Sequence, residues 1–199
     1  MIRDKVILVD CDGVLLDWEY HFYKWVKAEK GLTRKFDHYR VSEAIGISKK
    51  AGHKLVQEFN SSGDMKYLSP LRDAIKYVRK LHEEHGYIFH VITSQTHNAM
   101  AKNWRMQNLH NVFGHVFDGI TILGTGEDKD EELAKWEGTN CWWVEDKMAN
   151  IVMGNKVGLD GILMSHAHNK TSVFDWHDGD DCHEVQNWKE IYYLITGEL

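Results

Sequence analysis

Asp10 and Asp12 stand two residues apart directly behind the apolar run Ile7, Leu8, Val9, with Gly13 next and a third acid at Asp17. While a chain stays extended, side chains at i and i+2 point the same way, so both carboxylates face one small volume. An Asp-Gly pair is an ordinary turn, which accounts for Asp12 and Gly13. It does not account for Asp10, because an ionised carboxylate beside a buried strand is costly unless a cation or a hydrogen-bond network compensates it. The pair therefore reads as a catalytic or metal site, and Cys11 between them as a small packed residue.

Matching chemistry recurs behind later apolar runs. FHVITS ends in Thr93 and Ser94, TILGTGEDK leads to Lys129, and CWWVED ends in Glu145 and Asp146. Carboxylates suit a hard cation, while hydroxyls and an ammonium suit phosphate oxygens. Lys129 lies in EDKDEE, a kind of run that is usually a solvated helix start. Lys135 is its rival as the phosphate lysine and Lys147 a third candidate. Lys129 is preferred because it directly follows a strand, whereas Lys135 lies on a helix.

Such residues need a scaffold that brings them together. Strand-like runs at 5–9, 87–93, 119–123, 141–144 and 161–164 alternate with helical ones, which predicts an α/β fold with a central parallel sheet. In such sheets the ligand crevice lies beyond the carboxyl ends of the strands, where all these residues fall. Helices are expected at 98–109, at 131–136 up to Gly138, and from Asp146 to about Asn155. The clearest starts at Ser69-Pro70, carries Leu71, Ala74, Ile75, Val78 and Leu81 on one face, and ends at Gly86.

Residues 18–68 break the alternation and look helical only, which divides the chain into a core of 1–17 and 69–199 and a small helical cap, a candidate lid, inserted after the first strand. In the cap, Trp18, Phe22 and Trp25 fall at i, i+4 and i+7. Such a stripe reads first as the cap's own core, with Trp18 and Phe22 also candidates to stack on a nucleobase. The basic residues from Lys24 to Arg40 read as a solvated face that makes the lid locally basic. The Asp- and His-rich stretch 175–183 reads as a polar loop, and one of His166 and His168 is expected to line the site, neither as a metal ligand.

With 199 residues, 43% of them hydrophobic, the chain can bury a full core. Its formal charge of -6 argues against sequence-independent binding to long nucleic acids. Cys11, Cys141 and Cys182 are an odd count without paired spacing, as in a reduced cytosolic protein. No secretory pattern and no membrane-spanning stretch is visible, so a soluble, cytoplasmic protein is expected. Oligomeric state stays open, a homodimer included.

DCDGVLLD, ITS, a lysine and WWVED together resemble the four motifs of the haloacid dehalogenase superfamily, most of whose members are Mg2+-dependent phosphohydrolases acting through an aspartyl-phosphate. The chain is further similar to 5'(3')-deoxyribonucleotidases in DxDGVLxD followed by an aromatic, in the segment from Gly63 to Leu81, in Thr93-Ser94, in His168-Asn169-Lys170 and in the segment from Asn187 to Ile191. Glu145-Asp146 stands where those proteins have two aspartates.

The resemblance implies a Rossmann-like core with a cap and a hydrolase releasing phosphate from deoxyribonucleoside monophosphates. It assigns Asp10 as nucleophile and Asp12 as acid and base. Mg2+ would be held by Asp10, the Asp12 carbonyl and Asp146, with Glu145 in support, and phosphate by Thr93, Ser94 and Lys129. Alternatives are a sugar phosphate or a nucleic-acid terminal phosphate as substrate, or a noncatalytic Mg2+-binding module. A dehalogenase is disfavoured, since that chemistry needs no acid at the position of Asp12.

Overall fold

The run Val6–Val9 forms strand β1. Ile7 and Val9 pack into one apolar cluster and Leu8 into another, all three fully buried, as a strand covered on both faces requires. The computed structural model describes residues 5–169 and 182–198. Among these, Ile88–Ser94 (β2), Phe117–Leu123 (β3), Trp142–Glu145 (β4), Asp160–Met164 (β5) and His183–Val185 (β6) join β1 in one sheet of order β3-β2-β1-β4-β5-β6. Every pairing is parallel. The order reverses between β1 and β4, and the register sets Val9 level with Val91 and Val144. Loops that follow level strands at such a reversal open a crevice between them.

The helices are Trp18–Lys30 (α1), Val41–Ile45 (α2), Lys49–Asn60 (α3), Ala74–His85 (α4), Ala99–Phe113 (α5), Asp130–Ala134 (α6), Met148–Lys156 (α7) and Trp188–Thr196 (α8), with a 3-10 turn at Gly63–Lys66. One apolar cluster joins Val78 and Leu81 of α4, Leu109 of α5 and Trp188 of α8 to Ile7 and Val9. The other joins Leu133 of α6 and Ile151 of α7 to Leu8. The sheet is thus sandwiched between two helical layers.

The five expected strands lie within two residues of their expected bounds. β6 was not expected. It is a three-residue edge strand, His-Glu-Val, at the end of the stretch read as a polar loop, too short and too polar to carry a strand pattern. Residues 175–181 of that stretch lie outside the described residues.

One boundary is corrected: α4 starts at Ala74, not at Ser69-Pro70. Pro70 instead bridges Leu16, the Asp17 amide donates to the Ser69 carbonyl (2.9 Å), and the Leu71 amide donates to the Leu15 carbonyl (2.8 Å). These bonds hold 69–71 extended against the loop that follows β1. The Asp73 carboxylate then accepts from the amides of Trp188 (3.1 Å) and Lys189 (3.0 Å), capping α8 rather than its own helix.

Between β1 and α4 the chain is helical, as expected. Asp17 caps α1 by accepting from the Tyr20 amide. Phe22 stacks on Trp18 at 4.5 Å and meets Phe59 of α3 edge-on at 5.5 Å, closing a small aromatic core. This unit is tied to the sheet by a buried amide pair. Asn60 Nδ2 donates to the Gln95 carbonyl (3.1 Å), Gln95 Nε2 donates to the Asn60 carbonyl (2.9 Å), and Trp18 Nε1 donates to Asn60 Oδ1 (2.8 Å).

Candidate active site

The turn after β1 carries Asp10, Cys11, Asp12 and Gly13 into the crevice. It is wound tightly: the amides of Leu15 and Leu16 both donate to the Cys11 carbonyl at 2.9 Å, and the Gly13 amide donates to the Leu16 carbonyl at 2.9 Å. Gly13 has φ +77°, and a Cβ there would lie 2.6 Å from Asp146 Oδ2. Only glycine lets the β1 loop approach the β4 loop this closely.

Asp10, Glu145 and Asp146 are buried, with carboxylate oxygens within 4.8 Å of one another. Lys129, 4% exposed at the start of α6, reaches into this group, with Nζ 2.7 Å from Asp10 Oδ1 and 2.6 Å from Glu145 Oε2. Glu145 has its other contacts in the loop that follows it and in α7, accepting from the amides of Asp146 (3.0 Å) and Lys147 (3.1 Å) and from Asn150 Nδ2 (2.9 Å). Burial pushes the carboxyls of Asp10, Glu145 and Asp146 up, with Lys129 opposing this at Asp10 and Glu145. The same two acids hold the Lys129 ammonium protonated against burial, so its pKa rises.

Asp12 is gripped by Arg105 of α5, which is fully buried. Arg105 Nη2 donates to Asp12 Oδ2 at 2.9 Å, Nη1 donates to Asp12 Oδ1, and Nη1 also contacts Cys11 Sγ at 2.8 Å. Cys11 is fully buried and its thiol is pushed up by burial, which leaves it neutral.

Four acids, Asp10, Asp12, Glu145 and Asp146, thus crowd around two cations, Lys129 and Arg105, so that carboxylate oxygens are in excess in a buried place. Oxygen donors with that excess fit a divalent hard cation such as Mg2+, which prefers a few carboxylates and carbonyls. Asp10 and Asp146 are the acids whose oxygens are least used by the protein itself.

A cavity of about 800 Å³ opens over these groups. Thr93, Ser94, Lys129 and Lys147 line it from the strand ends, and Trp18, Tyr23, Tyr39, Val41, His53 and Val56 from the helical segment. The Ser94 hydroxyl donates to the Glu127 carbonyl (2.8 Å), steadying the loop that delivers Lys129. Lys135 is turned away, exposed and paired with Glu132 at 2.5 Å. Of the two aromatic candidates, Trp18 lines the cavity. Phe22 is fully buried in the aromatic core and is absent from the cavity wall, which corrects the expectation that its ring reaches a nucleoside.

No protein-family model matches the chain. In sequence it is 24% identical over 143 residues to an uncharacterised 32.4 kDa protein of Enterobacteria phage T4, covering 65% of this chain and 48% of that protein, so the match spans about half the length of that relative. In structure it is similar to a haloacid dehalogenase-like family hydrolase from Streptococcus pneumoniae, with a TM-score of 0.65 at 14% identity over 96% of this chain and 98% of that one. The fold is the haloacid dehalogenase-like fold. A D,D-heptose 1,7-bisphosphate phosphatase from B. bronchiseptica, solved with magnesium and phosphate, shares this haloacid dehalogenase-like fold with a TM-score of 0.63, 12% identity and coverage of 98% and 99%.

Within this fold Glu19, Tyr39 and Arg105 are site side chains that were not anticipated, whereas His166 and His168, one of which was expected to line the site, both line the cavity. His168 Nδ1 lies 3.1 Å from Glu19 and its Nε2 3.9 Å from Asp146, and these acids raise its pKa to about 9 against the opposing effect of burial. The Tyr39 hydroxyl points at Asp146 Oδ1 (3.5 Å). His166 Nε2 meets the Gly13 carbonyl at 2.6 Å, and its Nδ1 faces the guanidinium of Arg72 at 3.4 Å. Arg105 left a trace in the sequence: it occupies the helical stripe of Ala101 and Leu109, where an apolar residue is the norm. Among the described residues no helix is long and apolar enough to cross a membrane.

Proposed function

We propose that this chain is a Mg2+-dependent phosphomonoesterase acting through an aspartyl-phosphate on Asp10, and that its substrates are deoxyribonucleoside monophosphates. The observation that carries the proposal is the buried group Asp10, Glu145, Asp146 and Lys129 at the floor of a cavity roofed by helices.

Asp10 attacks phosphorus, the bond from phosphorus to the ester oxygen breaks, and Asp12 gives its proton to the departing alkoxide. Asp12 then takes a proton from water as that water attacks the aspartyl-phosphate, which restores Asp10 and releases phosphate. Lys129 donates to Glu145 and is ion-paired with Asp10, and of its three N–H donors one is left to serve a phosphate oxygen, with Thr93 and Ser94 also lining the cavity. Asp10, Asp146 and the Asp12 carbonyl would hold Mg2+, with Glu145 in support. When bound, the cation supplies positive charge against the phosphate oxygens.

Residues 18–68 form the cap in this proposal, and its aromatic and aliphatic wall, Trp18, Tyr23, Val41 and Val56, supports a nucleoside as the leaving group. The test is phosphate release from a panel of deoxyribonucleoside monophosphates, sugar phosphates and 5'-phosphorylated oligonucleotides, with Mg2+ and with EDTA. The highest kcat/KM on deoxyribonucleoside monophosphates, lost in EDTA, is expected. Better turnover of sugar phosphates or oligonucleotide ends would overturn the substrate reading, and no release from any ester would overturn the phosphatase itself.

A further inference from the structure

We propose that Arg105 is the positioning residue for Asp12: its guanidinium fixes the plane of the Asp12 carboxylate so that the group meets the leaving oxygen. The inference rests on the reading of Asp12 as the acid and base.

Arg105 is a fully buried cation in the middle of α5. Its contacts are concentrated on one target. Nη1 and Nη2 donate to the two oxygens of Asp12, Nη1 also touches the neutral Cys11 sulfur, and Nε has no hydrogen-bond partner among the described residues. Burying a full charge costs several kcal/mol, and only a well-aligned partner offsets it. A guanidinium whose sole anionic partner among the described residues is Asp12, and whose Nε–H has no partner there, is poorly explained as helix packing. The forked pairing fixes carboxylate orientation in a way that a point charge does not.

Exposure supports the same assignment. The Arg105 side chain has no access to solvent, whereas the Asp12 side chain keeps 21% of its surface, and Asp12 lines the cavity. Arg105 therefore braces Asp12 from behind. A carboxylate offers about four lone-pair sites. The guanidinium occupies two of them, and those that remain are available to carry the proton given to the ester oxygen as its bond to phosphorus breaks. Misplacing such a group by about 1 Å can cost on the order of 10²-fold in rate.

The experiment compares two esters by kcat/KM at fixed Mg2+: a deoxyribonucleoside monophosphate, whose alkoxide needs a proton to depart, and p-nitrophenyl phosphate, whose aryl oxide departs without one. Asp12→Asn should lose roughly 10²–10⁴-fold on the alkyl ester and far less on the aryl ester, the usual scale for general acid–base catalysis. Arg105→Gln and Arg105→Lys should repeat that asymmetry, with a loss of about 10²-fold on the alkyl ester. Arg105→Lys keeps the charge without the fork, and it carries the comparison should Arg105→Gln fail to fold by circular dichroism. Adding an Arg105 substitution to Asp12→Asn should cost nothing further on the alkyl ester.

Equal losses on both esters in the Arg105 variants, or an Arg105 loss undiminished in the Asp12→Asn background, would overturn the proposal in favour of a purely structural arginine. If Asp12→Asn itself shows no asymmetry, the acid–base reading fails first and the positioning role falls with it.

Discussion

The ammonium of Lys129 lies 2.7 Å from Oδ1 of Asp10, so the expected nucleophile and the expected phosphate ligand are ion-paired between the loops that follow β1 and β3, the two strands flanking β2 in the sheet. The pair is buried, with Glu145 on the other side of the ammonium. Removing Lys129 would leave two uncompensated carboxylates, and breaking a buried pair from one side costs about 3–5 kcal/mol. Lys129→Met should therefore melt at a lower temperature than the parent in EDTA. Mg2+ should recover more of that loss in the variant than it adds to the parent. Equal Mg2+ stabilisation of both proteins in thermal melts would show that the cation does not bind beside this pair.

Asp10→Asn should abolish phosphate release while the protein stays folded, because an amide is a poor nucleophile. Its fold tolerates the change, since Lys129 keeps its buried ion pair with Glu145 and Asn is close in shape to Asp. Full activity in the folded variant, with deamidation excluded by mass spectrometry, would remove Asp10 as nucleophile.

Phe22 and Trp18 stack on each other but face different surroundings, and their alanine variants should separate. Phe22→Ala should cost about 3–5 kcal/mol of stability, as for a fully buried ring, and leave the ratio of kcat/KM between deoxynucleotide and sugar phosphate unchanged. Trp18→Ala should lower that ratio by about 5- to 150-fold, the range of one base-stacking contact. An unchanged ratio in folded Trp18→Ala would assign Trp18 to the cap's core alone.

His168 gives a pH dependence with a definite sign. Its pKa is raised to about 9 by Asp146 and Glu19, above the ordinary 6.5. A raised pKa means that the folded protein binds the proton more tightly than the unfolded chain. The stabilisation is therefore complete below pH 6.5 and declines as pH rises through about 9. In EDTA, His168→Gln should flatten the fall in melting temperature across that window. A parent protein whose stability does not fall there would contradict the pairing.

Gly13→Ala should impair activity more than an ordinary loop substitution. The added methyl meets Asp146 Oδ2 at 2.6 Å on a backbone with φ +77°, so the Asp146 carboxylate must shift from its place beside Asp10. A raised Mg2+ requirement for phosphate release is expected, and an unchanged Mg2+ titration would show that this approach does not shape the site.

Much of the scaffold was legible because parallel strands buried on both faces are written as continuous apolar runs, and each run here ends in the polar residues it delivers: Asp10 and Asp12, Thr93 and Ser94, Glu145 and Asp146. Local pattern thus specified the strands and the residues at their ends. It did not specify the start of α4, because a Ser-Pro pair caps a helix only if nothing else claims its backbone, and the loop after β1 does. Nor did it separate Phe22 from Trp18: both lie on one helical stripe and both meet Phe59, and only the tertiary structure leaves Trp18 on the cavity wall while enclosing Phe22. The choice of Lys129 over Lys135 rested on proximity to a strand, yet its burial between Asp10 and Glu145 comes from β1 and β4 being neighbours in the sheet. Arg105 is separated from Asp12 by 93 residues, and His168 from Glu19 by far more than any helix or hairpin spans. Pairings of that kind follow from the order of strands and the placement of helices on the sheet, which short-range periodicity does not encode.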